Sequence, residues 1–342
     1  MIRKKTHEPK FNLSRRALIG GASALAAAAG MSAAAKAQTV AATEDFAGKS
    51  ALITGTSSGF GRLTSLHLAR QGATVIASMR NFKNGKRPEA QELADIASTE
   101  KLKLSVVEID VKDPALVKSG AAKAEQIAGG GLDLLVNNAG IGVGGAVEFN
   151  DEEAVFNQFS TNILGYHRMA RAVLAGMRAR REGLIVNISS QLGRLVVPNI
   201  GIYCATKFGV EAMFEAMAYE LAPFGVEVTI IQPGGYPTKI WDNGRRYFEA
   251  LIERADEERK AAYAGHIQMA QGLMTGQYST DPMDVPRAIA EIFAMPPGKR
   301  PLRRPVHPNT QATTAANAAM AQIQSGVLAG GAYKDWHAAA TD

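Results

Sequence analysis

The sequence predicts an α/β fold: a doubly wound parallel sheet of about seven strands, flanked by helices, in a single domain. Three observations carry this. From Lys49 onward, short apolar runs of β type alternate with longer helical patterns, the signature of a parallel sheet. The turn between the first strand and the first helix is rich in glycine. Small or polar residues follow the strands at 55–61, 80, 110, 138–140, 190 and 234. In a doubly wound sheet such strand ends gather on the edge that binds the ligand.

In chain order, the first strand covers 50–53 and leads into Thr54-Gly55-Thr56-Ser57-Ser58-Gly59-Phe60-Gly61. Glycines placed between a strand and a helix let the backbone approach a phosphate, and the helix N-terminus favours the anion. The first helix runs to about Gln71. The second strand, 74–79, ends at Arg80, and the third, 104–109, ends at Asp110. Asp110 could cap the helix that follows, although Asp113 before Pro114 is the better cap. The fourth strand, 132–136, runs into Asn137-Asn138-Ala139-Gly140. Asn138 there could simply brace the strand ends. A long helix over 152–181 contains Asn162, which on residue type alone reads as a polar residue inside a helix.

The fifth strand, 184–188, ends in Ser189-Ser190. A loop with Gly193 and Pro198 follows, then a helix from Tyr203 to near Pro223. The sixth strand covers 226–231 and closes with Pro233-Gly234. Helices are expected over 245–265 and 285–294, and an edge strand over 302–306, since Pro305 suits an edge better than a sheet centre. The Ala-rich stretch 311–342 is a tail that could be helical, frayed or an arm facing a partner.

The chemistry centres on Tyr203 and Lys207. Their i, i+4 spacing puts phenol and ammonium on one helical face. A nearby cation favours the phenolate, so the tyrosine pKa should fall from about 10 towards neutrality, where it serves as general acid or base. Ser190 lies 13 residues before Tyr203 and reaches the same pocket if strand and helix end side by side. A Tyr-x-x-x-Lys pair alone is weak; the serine at a strand end strengthens it.

The coenzyme side is legible at the end of the second strand. An acid there would bond a ribose 2′-hydroxyl. This chain has Met79, followed by Arg80, an always-charged fork suited to phosphate. Ser57 in the glycine turn can add a hydroxyl donor.

Charge is concentrated at the N-terminus. Residues 1–37 hold seven Lys and Arg against one Glu, a net of +6, which is the charge of the whole chain. Residues 38–342 are therefore neutral, and a nucleic-acid partner is disfavoured. Ser14-Arg15-Arg16 reads as the twin-arginine pair of an export signal over 1–37, ending in Ala35-Lys36-Ala37 before Gln38. The run 17–35 is mostly Ala and Gly, too weakly apolar for a stable membrane span. The expected location is the bacterial periplasm, reached through the twin-arginine export machinery. A linker over 38–48 precedes the domain at 49–310. The single cysteine, Cys204, permits no intramolecular disulfide and reads as a small buried residue. The six histidines show no metal-ligand spacing, so no metal site is expected.

These residues together resemble the short-chain dehydrogenase/reductase family in its compact subclass. The matches are TGxxxGxG at 54–61, NNAG at 137–140, Asn162, Ser190, Tyr203 with Lys207, and Pro233-Gly234 followed by Thr238, within about residues 48–306. The resemblance implies a Rossmann-type sheet and hydride transfer between a nicotinamide and a small-molecule ketone, aldehyde or secondary alcohol. It implies that Tyr203 exchanges the proton, Lys207 lowers its pKa and holds the nicotinamide ribose, and Ser190 polarises the carbonyl. Asn162 would hold a water that links Lys207 to solvent. Dinucleotide contacts would fall on Gly55, Ser57, Ser58, Gly59, Phe60 (the family usually has Ile here) and Gly61. Further contacts would fall on Asp110 and Val111 at the adenine, on Asn138, Ala139 and Gly140, and on Pro233, Gly234 and Thr238. An arginine after the second strand accompanies a 2′-phosphate, so NADP(H) is expected in preference to NAD(H). The substrate would lie under the segment 239–279. Homo-oligomers are common in the family. The other class of function open to this fold is a dinucleotide-binding sensor without catalysis, and the intact Asn162, Ser190, Tyr203 and Lys207 set argues against it. A dehydratase or epimerase of the longer subclass is disfavoured, because the sheet pattern stops soon after the sixth strand.

Overall fold

The computed structural model describes residues 45–82 and 86–341. The twin-arginine segment, and the linker up to residue 44, lie outside the described residues. Seven strands form one sheet in the order β3-β2-β1-β4-β5-β6-β7. They are β1 (Ser50–Thr54), β2 (Thr74–Met79), β3 (Leu104–Glu108), β4 (Leu134–Asn137), β5 (Gly183–Ile188), β6 (Val226–Pro233) and β7 (Arg303–Val306). Every pairing is parallel. The order reverses at β1, where the chain crosses from β3 over to β4. In such sheets the crevice at the strand ends beside this reversal is where a ligand binds.

Helices cover both faces. On one lie α1 (Gly59–Arg70), α2 (Pro88–Glu100) and α10 (Asp284–Ala294), which bury Leu68, Leu93, Ile289 and Phe293 against β1 and β2. On the other lie α3 (Pro114–Ile127), α5 (Gly165–Arg180) and α6 (Gly201–Leu221), with Val117, Tyr166, Met169, Val173 and Phe214 at the core. Because both faces are covered, the central strands are mostly apolar instead of alternating. β1, β4 and β5 are buried along their whole length. Proline opens α2 and α3, where its missing N–H costs nothing.

Two helical expectations are revised. The helix expected over 152–181 is α4 (Glu152–Phe159), one π turn (Ser160–Leu164) and α5. The π turn carries Asn162 at the site described below. The helix expected over 245–265 begins earlier and is broken: α7 (Ile240–Arg254), α8 (Glu257–Ala262) and α9 (Ala264–Leu273). Ala255 is extended, and Asp256 restarts the chain as an N-cap by accepting the Arg259 amide at 2.8 Å. These three helices form a small lobe around Phe149, Phe248, Leu251 and Met274. The tail is helical, as α11 (Gln311–Leu328) and α12 (Lys334–Ala340), and its Thr313 and His337 are buried. β7 is the edge strand, with Pro305 in it.

Candidate active site

The site sits at the C-terminal ends of β1, β4, β5 and β6, where a cavity of about 980 Å³ opens. Its floor is the glycine turn before α1. Gly55 and Gly59 have φ of +71° and +56°, which a side chain rarely allows. A Cβ on Gly61 would lie 2.4 Å from Asn138 Nδ2 and 2.5 Å from the Gly55 carbonyl oxygen. The turn therefore presses the N-terminus of α1 close against the end of β4, and only glycine fits there. Asn138 Nδ2 donates to the Thr54 and Gly55 carbonyls at 2.8 and 3.2 Å, and its own amide donates to Thr54 Oγ1 at 2.9 Å. Asn138 thus braces the strand ends, and with Ala139 and Gly140 it also lines the cavity. Phe60 packs edge-on against Tyr236 at 5.4 Å and faces the same space.

Ser190, Tyr203 and Lys207 converge on this cavity from the end of β5 and the first turns of α6. Lys207 Nζ donates to the Ile188 carbonyl at 2.7 Å and lies 5.5 Å from the centre of the Tyr203 ring. A Cβ on Gly142 would touch that ring at 3.4 Å, so glycine leaves room for the phenol. Asn162 is fully buried. Its Nδ2 donates to the Ile141 carbonyl at 2.8 Å and to Thr206 Oγ1 at 3.0 Å, and its Oδ1 accepts the Ile141 amide at 2.9 Å. It clamps the loop after β4 to α6. Both its amide protons are committed, which leaves its side chain no free donor for the water that the resemblance placed there.

The electrostatics correct one expectation. The Tyr203 phenol is not lowered towards neutrality: burial pushes it well above its ordinary value, and the hydrogen bond with Ser190 pulls only partly the other way. Burial also lowers Lys207 to about 7, opposed by the charge of Glu211 one turn further along. The i, i+4 rule gives proximity, but desolvation of both groups outweighs their attraction, and the lysine loses much of the charge that was to act on the phenol.

The far end of the cavity is basic. Arg80, Lys86, Arg87 and Lys239 line it together with Asp110, Val111 and Glu89. Arg80 donates to the Tyr247 hydroxyl at 3.1 Å, and Arg87 donates to the Arg80 carbonyl. Arg87 is also paired with Glu89 at 2.9 Å. Asp110 closes a local turn by accepting the Lys112 amide at 2.9 Å, and Asp113 is the helix cap, accepting the Ala115 and Leu116 amides. Ser57, Ser58, Pro233, Gly234 and Thr238 line the cavity between the two ends. Among the described residues no group of His, Cys, Asp and Glu is placed to hold a metal ion. No described helix is long and apolar enough to cross a membrane.

A family model described as short chain dehydrogenase matches residues 49–247. The chain belongs to the short chain dehydrogenase family and is an oxidoreductase. It is 40% identical over 192 residues to the 3-ketodihydrosphingosine reductase of Bacteroides thetaiotaomicron, covering 56% of this chain and 65% of that relative. It thus spans just under two thirds of that protein. It is 32% identical over 262 residues to retinol dehydrogenase 8 of Bos taurus, covering 75% of this chain and 80% of the relative. Among solved structures, a short chain dehydrogenase/reductase from Burkholderia phymatum in complex with NAD aligns with a TM-score of 0.67 at 28% identity. That alignment covers 82% of this chain and 96% of the other.

Sequence reasoning did not single out Lys86 and Arg87, which line this dehydrogenase's cavity together with Arg80. The two consecutive cations shortly after Arg80 were a readable signal. Tyr247 was not readable as a partner of Arg80, because 167 residues separate them.

Proposed function

We propose that the protein is an NADP(H)-dependent carbonyl reductase acting on neutral, apolar ketones or aldehydes, with the corresponding secondary or primary alcohol as product. The observation that carries the reading is Tyr203, half-buried and held protonated beside Ser190, at one end of a cavity whose other end is basic. A dinucleotide fits the residues present: a glycine cradle that a Cβ would fill, the N-terminus of α1 for the pyrophosphate, and Arg80 for a 2′-phosphate. When bound, it supplies the hydride chemistry, while the protein supplies orientation and the proton.

Tyr203 carries its proton at neutral pH and gives it to the substrate oxygen as the alcohol forms. Ser190 donates a hydrogen bond to that same oxygen and fixes its position. Lys207, anchored on the Ile188 carbonyl, would hold ribose hydroxyls with its remaining N–H groups. Asn162 fixes the loop through Ile141, which forms one wall. A phenol whose pKa lies high carries its proton at neutral pH and is available as the acid when a carbonyl is reduced.

Apolar side chains surround the reacting end: Ile141, Leu192, Ile200, Trp241, Met274 and Tyr278. The cations that line the cavity cluster at the other end, apart from Lys207 beneath Tyr203 and Arg246 on α7. A substrate carboxylate would find little compensation beside Tyr203. The names of the two relatives, 3-ketodihydrosphingosine reductase and retinol dehydrogenase 8, support this reading. The N-terminal twin-arginine pattern supports delivery of the folded enzyme to the periplasm. The test is NADPH oxidation by purified protein with a panel of neutral ketones of rising chain length and with acetoacetate. Turnover that rises with apolar length and is poor with acetoacetate is expected; preference for acetoacetate overturns the substrate reading.

A further inference from the structure

Ser190 opens a short turn, Gln191–Gly193, which closes on itself: Ser190 Oγ accepts the Leu192 amide at 3.1 Å, and the Gly193 amide donates to the Ser190 carbonyl at 2.9 Å. The turn is also pinned from the C-terminal segment. Gln191 Nε2 donates to the Asn309 carbonyl at 2.8 Å, and Arg194 Nε donates to Asn317 Oδ1 at 3.1 Å. Asn317 lies on α11, and its Nδ2 donates to Gln232 Oε1 at 2.7 Å. Gln232, at the end of β6, donates from Nε2 to Glu211 Oε1 at 2.9 Å. Glu211 also accepts from Arg303 on β7 at 2.9 Å and faces Arg194 at 3.5 Å. Glu215 completes the group, facing both arginines.

This node is nearly dry. Gln232 and Glu211 are 0% and 1% exposed, and the side chains of Arg194 and Arg303 are each 11% exposed. Two cations meet two anions, so the charges balance. A buried polar group is costly unless paired, and a network of mutually paired groups admits one arrangement where an apolar contact admits many. The node also touches both halves of the catalytic apparatus. A Cβ on Gly193 would lie 2.7 Å from Ser189 Oγ and 2.9 Å from Glu211 Cγ, so the serine turn lies flat on α6. Glu211 is one helical turn beyond Lys207 on the same face.

We propose that Asn317 and Arg194 are positioning residues for Ser190, and that α11 thereby sets the geometry of the carbonyl subsite. The proposal rests on the assignment of Ser190 to the substrate carbonyl. Asn317 touches neither cavity nor substrate and acts through the serine turn, whose displacement by about an ångström is enough to slow a well-aligned reaction roughly 10²-fold.

The experiment is a double-mutant cycle on kcat with full-length enzyme, using Ser190→Ala, Asn317→Ala and the combination, with thermal stability and NADPH affinity measured alongside. Asn317→Ala is expected to lower kcat about tenfold or more, with NADPH affinity unchanged and no further loss when it is added to Ser190→Ala. Arg194→Lys, which keeps a donor to Asn317, should retain more kcat than Arg194→Met. A lowered melting temperature with unchanged kcat, or an Asn317 effect that persists in full on the Ser190→Ala background, overturns the proposal. Wild-type kcat in Ser190→Ala itself overturns the underlying assignment of Ser190 instead. If Asn317→Ala does not fold, the Arg194→Lys and Arg194→Met pair decides: equal kcat in both overturns the proposal.

Discussion

The Lys207 ammonium and the Ile188 carbonyl are joined by a 2.7 Å hydrogen bond, and the Tyr166 hydroxyl donates to the same oxygen at 3.1 Å. Ile188 is the last residue of β5, two before Ser190. The helix carrying Tyr203 is thus tied to the strand that delivers Ser190, and the two side chains keep their spacing.

On the proposed mechanism, turnover depends on Tyr203. Tyr203→Phe keeps the ring and removes the proton. It should lower kcat roughly 10²-fold or more while NADPH binding, followed by fluorescence, is retained. Turnover close to wild type would remove Tyr203 from the proton-transfer role.

Burial of Lys207 has a signature in stability. The unfolded chain keeps this lysine protonated to about 10.5, whereas the folded, coenzyme-free chain does so only to about 7. Between those values unfolding takes up a proton, so the contribution of this group grows more favourable as pH rises, by at most about 1.4 kcal/mol per pH unit. Below about 7 the penalty is full and constant. Lys207→Met removes it at all pH. Urea unfolding of both proteins should show the variant gaining most, relative to wild type, near neutrality, with the gap narrowing towards about pH 9. A gap independent of pH would mean that the buried lysine keeps its charge.

On the proposed function, coenzyme choice would rest on Arg80 and the cations around it. One charge-assisted phosphate contact is worth roughly 1.5–3 kcal/mol, or one to two decades of preference. Arg80→Ala should raise KM for NADPH far more than for NADH. Tyr247→Phe, which frees the Arg80 guanidinium from its 3.1 Å partner, should move the same ratio less. Equal use of the two coenzymes by wild type, or equal weakening of both by Arg80→Ala, would leave the 2′-phosphate without its reader.

Much of the site was legible because strand ends and short spacings were enough to find it. The glycine turn, Ser190, and the Tyr203 and Lys207 pair line one cavity, as the strand-end argument requires. What the sequence could not show was solvent. Whether a lysine lowers a neighbouring phenol depends on how dry both are, and that is decided by the packing of residues such as Tyr166 and Gly142 from other elements. Asn162 was ambiguous for a related reason: its partners Ile141 and Thr206 lie 21 and 44 residues away. The break at Ala255 was obscured by a continuous helical pattern, although Asp256 was a readable cap.

Export can be tested apart from catalysis. Arg15→Lys with Arg16→Lys should leave active enzyme in the cytoplasm of a bacterial host and deplete the periplasm, as fractionation and NADPH assay would show. Unchanged periplasmic activity would rule out the twin-arginine reading.

The all-parallel sheet also sets how long this chain takes to mature. No two neighbouring strands can begin as a hairpin, since parallel partners need a crossover between them. The pairing nearest to where the dinucleotide would lie, Ile53 with Val136, joins residues 83 apart. Closing such loops precedes any gain from the contacts they bring, so folding of this topology is slow compared with that of helical bundles. On the proposed twin-arginine route, the exporter would have to wait for that folding. A thread-like translocation route would compete with that delay and catch the chain before β1 and β4 have met.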